Sequence, residues 1–485
     1  MCTNRVSRYS PYGYVDAMAH NRTDDTVGSK SASHVQWEKV NWASLQRDCL
    51  QRNGPRFHTI EPREKKIWTL DKRLDRPDES KTEETNPKAL PRTAVILRSW
   101  LNMKYKENDL HHIRAMIMEM SLASGGEYEV VLLVDCHDEK LPDPHNQAAI
   151  DQFKEQHLPQ ELREIAVFFN KKMLRSWYPD IDEHEAIVQY YQPTQIYSRL
   201  HPQYDYIWQF EMDSRYTGHY YSLVHQATEF AKQQPRKHLW ERNSYFYMPA
   251  VHGSWENFTE KVDRDMVGLK SVWGAVPTES ILVEGEAPIP PVRTPAEDHY
   301  EWGVGEEADL ITWLPHFDPT DTDWPFKDKV YNFPEGRNIP RRSAVVAMSR
   351  VSKKLLRVMH DDKVRGGYGL ASEMSCVSWA LFYGLKAVQI PLPVYHEHDW
   401  DPQELNRRAN AGKPGRINAE MDSLWSWELN DDIIFGSNFN FNSDFSGKLF
   451  RAWMGLDSAA EWEEENPRLC FPPILFHPVK DLSPN

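Results

Sequence analysis

The sequence predicts an α/β fold in which a mostly parallel sheet is flanked by helices and joined by long irregular loops. Two segments, at residues 93–98 and 129–135, are each built around an uninterrupted apolar run and have the length and composition of buried strands. Between them, apolar residues recur at helical spacing from Leu110 to Met120, and Gly125-Gly126 ends the pattern. A strand, a helix and a second buried strand form a βαβ unit, which implies parallel strands covered on both faces.

The later part of the chain continues this alternation after long interruptions. A third strand is predicted at residues 204–210 and a helix at 220–233. Residues 234–330 are irregular and rich in Pro and Trp, which is typical of long loops around an active site. Regular structure then returns in the order strand (343–348), helix (through Leu355 and Met359), helix (373–383) and strand (387–391).

We expect one catalytic domain, at residues 91–400, with an extension at each end. Residues 1–90 lack sustained periodicity and are interpreted as an arm and linker, within which residues 35–50 have the pattern of a short helix. Residues 401–485 are interpreted as a tail packed on the core of the domain.

The composition limits the kinds of partner. The 485 residues include 57 Lys and Arg against 72 Asp and Glu, which gives a net charge of −15. A chain this acidic is repelled by phosphate backbones and by anionic membrane surfaces, so nucleic-acid and membrane-surface partners are not expected. No apolar run approaches the roughly 20 residues that span a bilayer, so no membrane span is predicted.

The five cysteines stand singly, and the absence of any CxxC pair excludes the common zinc-ribbon and thioredoxin patterns. Their odd number makes a complete disulfide framework impossible but leaves one or two bridges open. Because residues 1–10 carry no legible secretory signal, we expect a soluble cytoplasmic protein. The lumen of the secretory pathway is the alternative.

Two carboxylates follow the third predicted strand directly. Glu211 and Asp213 lie two residues apart, so in extended backbone both side chains point to the same side. Ligands of open α/β sheets bind outside the carboxyl ends of the strands, where this pair stands. Hard oxygen ligands suit Mg²⁺ or Mn²⁺, which in turn bind diphosphate oxygens. An isolated E-x-D is more often a solvated turn.

Three later motifs favour a site over that interpretation. His396 and His398 follow a predicted strand, and either imidazole can complete the coordination of Mn²⁺. Gly366-Gly367 precedes a helix, where backbone N–H groups can approach a phosphate. Glu373 opens that helix and can act as a general base. Each motif alone is typical of a polar loop, an ordinary turn or a helix cap, but their order along one domain favours a common site.

That order resembles the core of GT-A glycosyltransferases, with a D-x-D-type metal motif, a glycine-rich loop, an x-E-D-like helix start and a C-terminal metal histidine. The stretch YDYIWQFEMDSRYTG (204–218) is similar to the Y-x-Y-x-W-R-x-E segment of fungal secretory α-1,2-mannosyltransferases. Residues 35–400 resemble an uncharacterised fungal family, chiefly through EEADLITWLPHFDPTDTDWPF (306–326) and SEMSCVSWALFYGLKAVQIPLPVYHEHDW (372–400). The resemblance implies a GT-A-like, Rossmann-related fold and a hexosyltransferase-like activity.

The resemblance also implies a metal and two catalytic residues. Mn²⁺, or Mg²⁺, is expected on Glu211, Asp213 and either His396 or His398, where its charge neutralises a departing diphosphate. Asp213 and Glu373 are the expected catalytic residues. Glu373 is expected to deprotonate a hydroxyl acceptor if the reaction inverts, or to stabilise an oxocarbenium ion if it retains.

The donor implied by the resemblance is a nucleotide-sugar, and its acceptor is a hydroxyl of a small molecule or glycan. The residues expected to hold the donor are Arg98, Ser99, Asp135, Arg350, Gly366 and Gly367. Trp302, Trp313 and Trp324, in the long loops, are candidates for stacking on a sugar.

Two other functions remain open at this point. A metal-dependent hydrolase can use the same carboxylates and histidines, and a non-catalytic carbohydrate-binding protein can be built on a transferase core. The donor sugar, the acceptor, the stereochemical outcome and the oligomeric state are not predicted by the sequence.

Overall fold

The computed structural model describes residues 2–15, 35–57, 67–75, 89–283, 285–427, 431–456 and 469–480. Its strands are β1 (Thr93–Trp100), β2 (Tyr128–Asp135), β3 (Ala166–Phe169), β4 (Tyr206–Glu211), β5 (Arg215–Tyr216), β6 (Leu310–Thr312), β7 (Val330–Tyr331), β8 (Ser349–Ser352), β9 (Gly369–Leu370), β10 (Ala387–Gln389) and β11 (Leu475–Phe476). A 7-stranded sheet has the order β10-β6-β8-β4-β1-β2-β3, and β5 with β11 and β7 with β9 form two small sheets.

The central sheet is mostly parallel, as predicted. β1 pairs in parallel with β2 and β4, β2 with β3, and β6 with β10. Only β8 is reversed within this sheet, because it runs antiparallel between β4 and β6. The apolar runs predicted β1 and β2 correctly, since a strand covered on both faces has no polar side: Val95, Ile96 and Leu132 are fully buried.

Helices flank the sheet and connect its strands. The described α-helices are α1 (Arg5–Tyr9), α2 (Trp42–Asn53), α3 (Glu107–Met116), α4 (Gln147–His157), α5 (Lys171–Trp177), α6 (Gln192–Leu200), α7 (Tyr220–Gln233), α8 (Leu239–Arg242), α9 (Pro249–His252), α10 (Trp255–Asp265), α11 (Lys353–Gly366), α12 (Ser372–Phe382), α13 (Pro402–Ala409), α14 (Asp432–Phe435) and α15 (Asp444–Met454). α3 continues as a π-helical turn at Ile117–Leu122, and the predicted Gly125-Gly126 pair follows it with positive φ. The predicted βαβ unit is therefore present.

The strand predicted at residues 343–348 is wrong. That segment is buried but irregular, and Val346 within it has a φ of 69°, which no strand accommodates. The strand is β8, which begins at Ser349 and carries a buried arginine, Arg350. Apolar composition pointed to the wrong segment because the true strand is short and mostly polar.

One hydrophobic core joins the regions interpreted as arm, domain and tail. It includes Tyr9 and Trp42 from the arm, Trp208 from β4, and Trp453 and Phe476 from the tail. Residues 76–88 of the linker lie outside the described residues. In the part of the chain that the structure describes, no helix is long and apolar enough to cross a membrane.

The loop tryptophans belong mainly to this core. Trp313 and Trp324 are only 1% and 3% exposed, and the Trp313 ring lies 5.4 Å from that of Trp208. The prediction that these two stack on a sugar is therefore wrong. Trp302 is half-buried and packs edge-on against Trp273, with the ring centroids 4.5 Å apart.

Candidate functional site

The candidate site lies where β1 and β4 end side by side. The first four sheet strands have the order β3-β2-β1-β4, so the sheet changes its direction of growth between β1 and β4. In open α/β sheets this switch point opens the crevice in which ligands bind. Arg98 of β1 and Glu211 of β4 are register partners there.

Three side chains converge at this point: Glu211, Asp213 and His477. His477 Nε2 lies 2.9 Å from Glu211 Oε2 and 3.3 Å from Asp213 Oδ1. One ligand atom from each residue lies within 4.8 Å of the other two, which is the spacing of a cation site. The acidic pair was predicted to act together at this strand end, and the structure brings it together.

His477 is supplied by the tail and is oriented by a main-chain contact. β11 pairs antiparallel with β5, and His477 follows β11 directly. Its Nδ1 lies 2.6 Å from the carbonyl oxygen of Asn440. Because a carbonyl only accepts, Nδ1 carries a proton, and Nε2 faces the carboxylates, as in protein sites where a second contact fixes a ligating imidazole.

The electrostatics of the triad fit a cation. Burial alone lowers the pKa of His477, but the carboxylates of Asp213 and Glu211 raise it to about 10, so a proton supplies positive charge here. Burial would raise the pKa of Asp213, and the charges of His477 and Lys480 lower it instead. Two carboxylates and one imidazole offer the mixed oxygen and nitrogen ligands that bind a divalent metal such as Mn²⁺.

Glu373 lies in the first turn of α12, the helix start that the sequence predicted. Its Oε2 is shielded from solvent and has no hydrogen-bond partner in the described part of the chain. Burial raises the pKa of Glu373 to about 7; contact with its own backbone N–H opposes the rise and the charge of Glu211 adds to it. A carboxyl that titrates near neutrality suits general acid–base chemistry.

Two residues near Glu373, one before it in the chain and one on a contacting segment, have a strained backbone. Ser372 has a φ of 25°, and its N–H donates to Val188 O at 2.7 Å. Val346, with a φ of 69°, lies in the segment whose Ala344 N–H donates to Glu373 O at 3.3 Å. Such conformations persist only where surrounding contacts fix them, and they concentrate at functional sites.

Arg98 and Tyr190 complete the site. The Arg98 guanidinium donates to Tyr190 O at 2.6 Å and lies 4.3 Å from the centre of the Tyr190 ring. Arg98 is 9% exposed, and among the described residues no carboxylate lies within ion-pair distance of it. The Tyr190 hydroxyl is buried, and none of the described residues forms a hydrogen bond with it. Burial raises the pKa of Tyr190, and the charges of Glu211, Asp213 and Glu373 add to the rise. The phenol therefore lies within electrostatic range of these three carboxylates.

His396 and His398 do not join the site. His396 Nε2 lies 3.1 Å from Asp432 O, and His396 Nδ1 accepts the His398 backbone N–H at 2.9 Å. The chain at His396 bridges to Ser437, whereas His477 bridges to Phe439 on the neighbouring stretch. The segment around 437–439 therefore separates the predicted histidines from the acidic pair, and His477 takes the position assigned to them.

Arg350 was also misplaced. Because β8 runs antiparallel to β4, Arg350 lies opposite Trp208, and its guanidinium sits 3.5 Å from the centre of the Tyr206 ring, at the start of β4. There it donates to Ala308 O at 3.1 Å and to Glu307 at 2.9 Å. The guanidinium is thus engaged at the amino end of β4, away from the end that carries Glu211.

The Gly366-Gly367 turn ends a helix. Gly366 is the last residue of α11, and Gly367, with a φ of 64°, caps it by donating its N–H to Lys363 O at 3.0 Å. A β-carbon on Gly367 would meet Asn332 and Asp180, so a helix cap and close packing account for this glycine without a phosphate.

Ser99 and Asp135 lie at the predicted edge. Ser99 is the last residue but one of β1. Asp135 is the last residue of the neighbouring strand β2 and the register partner of Trp100. Ser99 Oγ lies 2.7 Å from the Tyr105 hydroxyl, and Asp135 accepts the His137 N–H at 2.7 Å. Their position agrees with the expected donor site, and their role in binding stays a prediction.

Sequence reasoning missed His477 and Tyr190. One signal was available for His477, because Ile474, Leu475 and Phe476 form a short apolar run that ends on it, as β4 ends on Glu211. Three residues are too few to be taken for a strand. Tyr190 stands in an irregular stretch with no periodic signal.

Comparison with known proteins identifies a family and no further relative. A family profile described as "Protein of unknown function (DUF3405)" matches residues 2–481. No curated protein and no solved structure is significantly similar to the chain. Any function therefore has to be inferred from the geometry of the site.

Proposed function

The chain belongs to the DUF3405 family, and we propose that it is a metal-dependent glycosyltransferase with a GT-A-like core, which moves a sugar from a nucleotide-sugar to a hydroxyl acceptor. The sheet supports this proposal because its strands follow the Rossmann-type order 3-2-1-4 on one side. The pair Glu211 and Asp213 stands at the switch point of that order, where a donor is expected.

One observation carries the proposal. A cation site and a buried arginine that pairs with no described carboxylate lie at the ends of two neighbouring strands. The triad of Glu211, Asp213 and His477 suits a divalent metal, while Arg98 has no carboxylate partner among the residues that the structure describes. A buried charge without a partner is costly, so an anionic ligand that binds both features resolves the imbalance. A diphosphate bound through a metal has that chemistry.

The residues divide the reaction between them. When bound, Mn²⁺ supplies positive charge that stabilises the diphosphate leaving group. Arg98 holds a phosphate oxygen from the side of β1, and the Tyr190 hydroxyl is available to donate a hydrogen bond to it. Glu373 either takes the proton of the acceptor hydroxyl or stabilises positive charge at the anomeric carbon, depending on the stereochemistry.

The direct test is donor hydrolysis by the purified chain. We expect turnover of a nucleotide-sugar with Mn²⁺, no turnover with EDTA, and a loss of activity in Asp213→Ala. His398→Ala is the matched control, because His398 lies outside the triad and should leave the rate unchanged. Activity that survives both EDTA and Asp213→Ala would overturn the proposal.

A thermal-shift experiment separates the transferase from a metal-dependent hydrolase. A transferase site binds the nucleoside diphosphate product, so UDP or GDP should raise the melting temperature only when Mn²⁺ is present. A hydrolase of phosphate or glycosidic substrates has no reason to prefer a nucleoside diphosphate. Binding of a free sugar without any metal dependence would favour a non-catalytic carbohydrate-binding protein.

The compartment we propose is the oxidising lumen of the secretory pathway, which the sequence offered only as the alternative to the cytoplasm. Cys2 and Cys470 form a disulfide, with Cα atoms 5.4 Å apart. Disulfides persist in oxidising compartments and are rare in the cytosol. Asn257-Phe258-Thr259 fits the pattern for N-glycosylation, and Asn257 lies at an exposed position of α10. An increase in mass at Asn257 that a glycosidase removes would therefore test this assignment independently.

A further inference from the structure

The third candidate ligand, His477, belongs to a segment that is tied covalently to the opposite end of the chain. The Cys2–Cys470 disulfide joins residues separated by 468 positions and lies just upstream of β11. Beside it, Thr3 and Phe471 exchange two backbone hydrogen bonds, at 2.8 and 3.0 Å. The described residues 469–480 are thus held against the N-terminal arm by a covalent bond and a bridge.

The arm is itself anchored to the body of the protein. Arg8 pairs with Glu119 at 2.5 Å, and both side chains are buried. The Tyr12 hydroxyl donates to the same carboxylate at 2.6 Å. Arg8 also donates to Tyr216 O in β5 at 3.1 Å. The disulfide therefore connects the tail to a fixed point that contacts the strand on which β11 lies.

From Cys470 the tail runs directly into the cation site. Thr217 N–H donates to Ile474 O at 3.1 Å, and Ile474 N–H donates to Thr217 Oγ1 at 2.8 Å. Beyond β11, Val479 N–H donates to Asp213 O at 2.7 Å. The tail supplies one ligand and braces the backbone of a second.

The site consequently has one separable component. Glu211 ends a central strand and stays in place while the sheet is folded, whereas His477 follows a strand of two residues, β11. Short edge pairings open locally at low cost in free energy, well below that of global unfolding. A cross-link near such a segment keeps its effective concentration at the docking surface high.

We infer that the Cys2–Cys470 disulfide is a redox-sensitive positioning element of the cation site. The oxidised form holds His477 at Glu211 and Asp213, and the reduced form releases the tail and weakens cation binding. In the reduction, a dithiol breaks the Sγ–Sγ bond, supplies two electrons and two protons to form two thiols, and is itself oxidised to a disulfide. The inference rests on the proposed cation site, and its test reads cation binding without any sugar transfer.

The experiment measures the Mn²⁺ affinity of the full chain by the paramagnetic resonance signal of free Mn²⁺. Three proteins are compared in a Cys49→Ser background, because Cys49 is a free, half-buried thiol outside the site. They are the oxidised protein, the reduced and alkylated protein, and the Cys470→Ser variant. We expect the last two to bind Mn²⁺ about tenfold more weakly than the first, a typical scale for loss of effective concentration.

A second arm assigns the effect to His477. In His477→Ala the tail no longer supplies a ligand, so reduction should change the Mn²⁺ affinity little further. Hydrogen exchange at residues 474–479 should accelerate on reduction in both proteins, while circular dichroism stays unchanged. If Cys470→Ser does not fold, the reduced and alkylated protein alone gives the comparison.

The outcomes separate the inference from the proposed function. Equal Mn²⁺ affinity in the oxidised and reduced forms would overturn the role of the disulfide and leave the cation site standing. An equal loss on reduction in His477→Ala would also overturn it, because the effect would not pass through His477. Failure of the oxidised protein to bind Mn²⁺ at all would remove the cation site and the proposed function together.

Discussion

Arg98 and Glu211 are register partners in adjacent parallel strands, yet they do not form an ion pair. The Arg98 guanidinium reaches Tyr190 O, and the Glu211 carboxylate reaches His477. The two opposite charges are thus held apart at the switch point of the sheet by separate contacts. Each is left available to a ligand, the carboxylate to a cation and the guanidinium to an anion.

Arg98→Met should weaken nucleotide binding while leaving the fold intact. Loss of a charge-assisted contact to phosphate costs about 1.5–3 kcal/mol, so the affinity for UDP or GDP with Mn²⁺ should fall about 10-fold to 100-fold. Titration calorimetry measures the affinity. Because Arg98 forms no ion pair within the described ranges of the chain, the free energy of unfolding should change little.

Arg350→Met is the matched control for that substitution. Arg350 is also buried, at 4% exposure, but it pairs with Glu307 near the amino end of β4. Its removal should lower the free energy of unfolding by about 2–4 kcal/mol, because Glu307 and the carbonyl of Ala308 lose their partner. Nucleotide affinity should be retained, and a loss equal to that of Arg98→Met would contradict the assignment.

His477→Ala should weaken Mn²⁺ binding by about 100-fold or more, since removal of even an outer-shell partner costs about 10- to 100-fold. His396→Ala should leave the affinity unchanged, because its imidazole contacts Asp432 O. Free Mn²⁺ is again the quantity to measure. A strong effect of His396→Ala with none of His477→Ala would restore the histidine predicted from the sequence and contradict the geometry.

Glu373→Gln should inactivate the protein and stabilise it above neutral pH. The pKa of Glu373, raised by burial to about 7, lies above its value in an unfolded chain, so folding favours the protonated form. Its contribution to stability is therefore present below the unfolded pKa and is lost as pH rises towards 7. At pH 8 the buried, ionised carboxylate lowers the free energy of unfolding by about 2 kcal/mol, and glutamine removes this loss. Turnover should fall about 10²- to 10⁴-fold.

Unfolding in urea at pH 5 and pH 8 measures the first effect, and donor turnover measures the second. The stabilisation should shrink at pH 5, where Glu373 is protonated in the folded protein. Mn²⁺ affinity should be retained, because Glu373 lies outside the triad. A variant that is destabilised at pH 8 would show that the carboxylate is structural.

The sequence could predict those parts of the fold that carry their own signal. β1 and β2 were predicted because strands covered on both faces are continuously apolar, and β4 because Ile207, Trp208 and Phe210 keep most of it apolar. β6 has only three residues, Leu310–Thr312, inside a long irregular stretch, and no local pattern marks it. β8 was missed because it accommodates Arg350 through Glu307, a contact made only after folding.

The site divides in the same way. Glu211 and Asp213 were predictable because ligands of α/β sheets bind at the carboxyl ends of the strands. Glu373 was predictable because acidic residues are favoured in the first turn of a helix. His477 lies 266 residues from Glu211, and its pairing depends on β11 and β5, strands of two residues each. Such non-local pairing leaves almost no trace in a single sequence.

Buried histidines should make the protein labile to acid. Burial lowers the pKa of His316 to about 3 and that of His360 to about 4, with Arg342 and Arg199 respectively adding to the effect. Burial likewise lowers the pKa of His111 to about 4. Each group is therefore neutral in the folded protein at pH 5 but protonated in the unfolded chain, whose histidines titrate near 6.5.

The sign follows from proton counting. The unfolded state binds more protons below pH 6.5, so the stabilising contribution is present above that pH and is lost as pH falls towards 4. Each histidine adds up to about 1.4 kcal/mol per pH unit to the slope. Urea unfolding at pH 7, 6 and 5 should show a steep decline in the free energy of unfolding. His360→Phe should reduce the slope of that decline by the contribution of about one proton. His398→Phe, at an exposed position, should leave the slope unchanged; an unaltered slope in His360→Phe would mean that His360 stays protonated when buried.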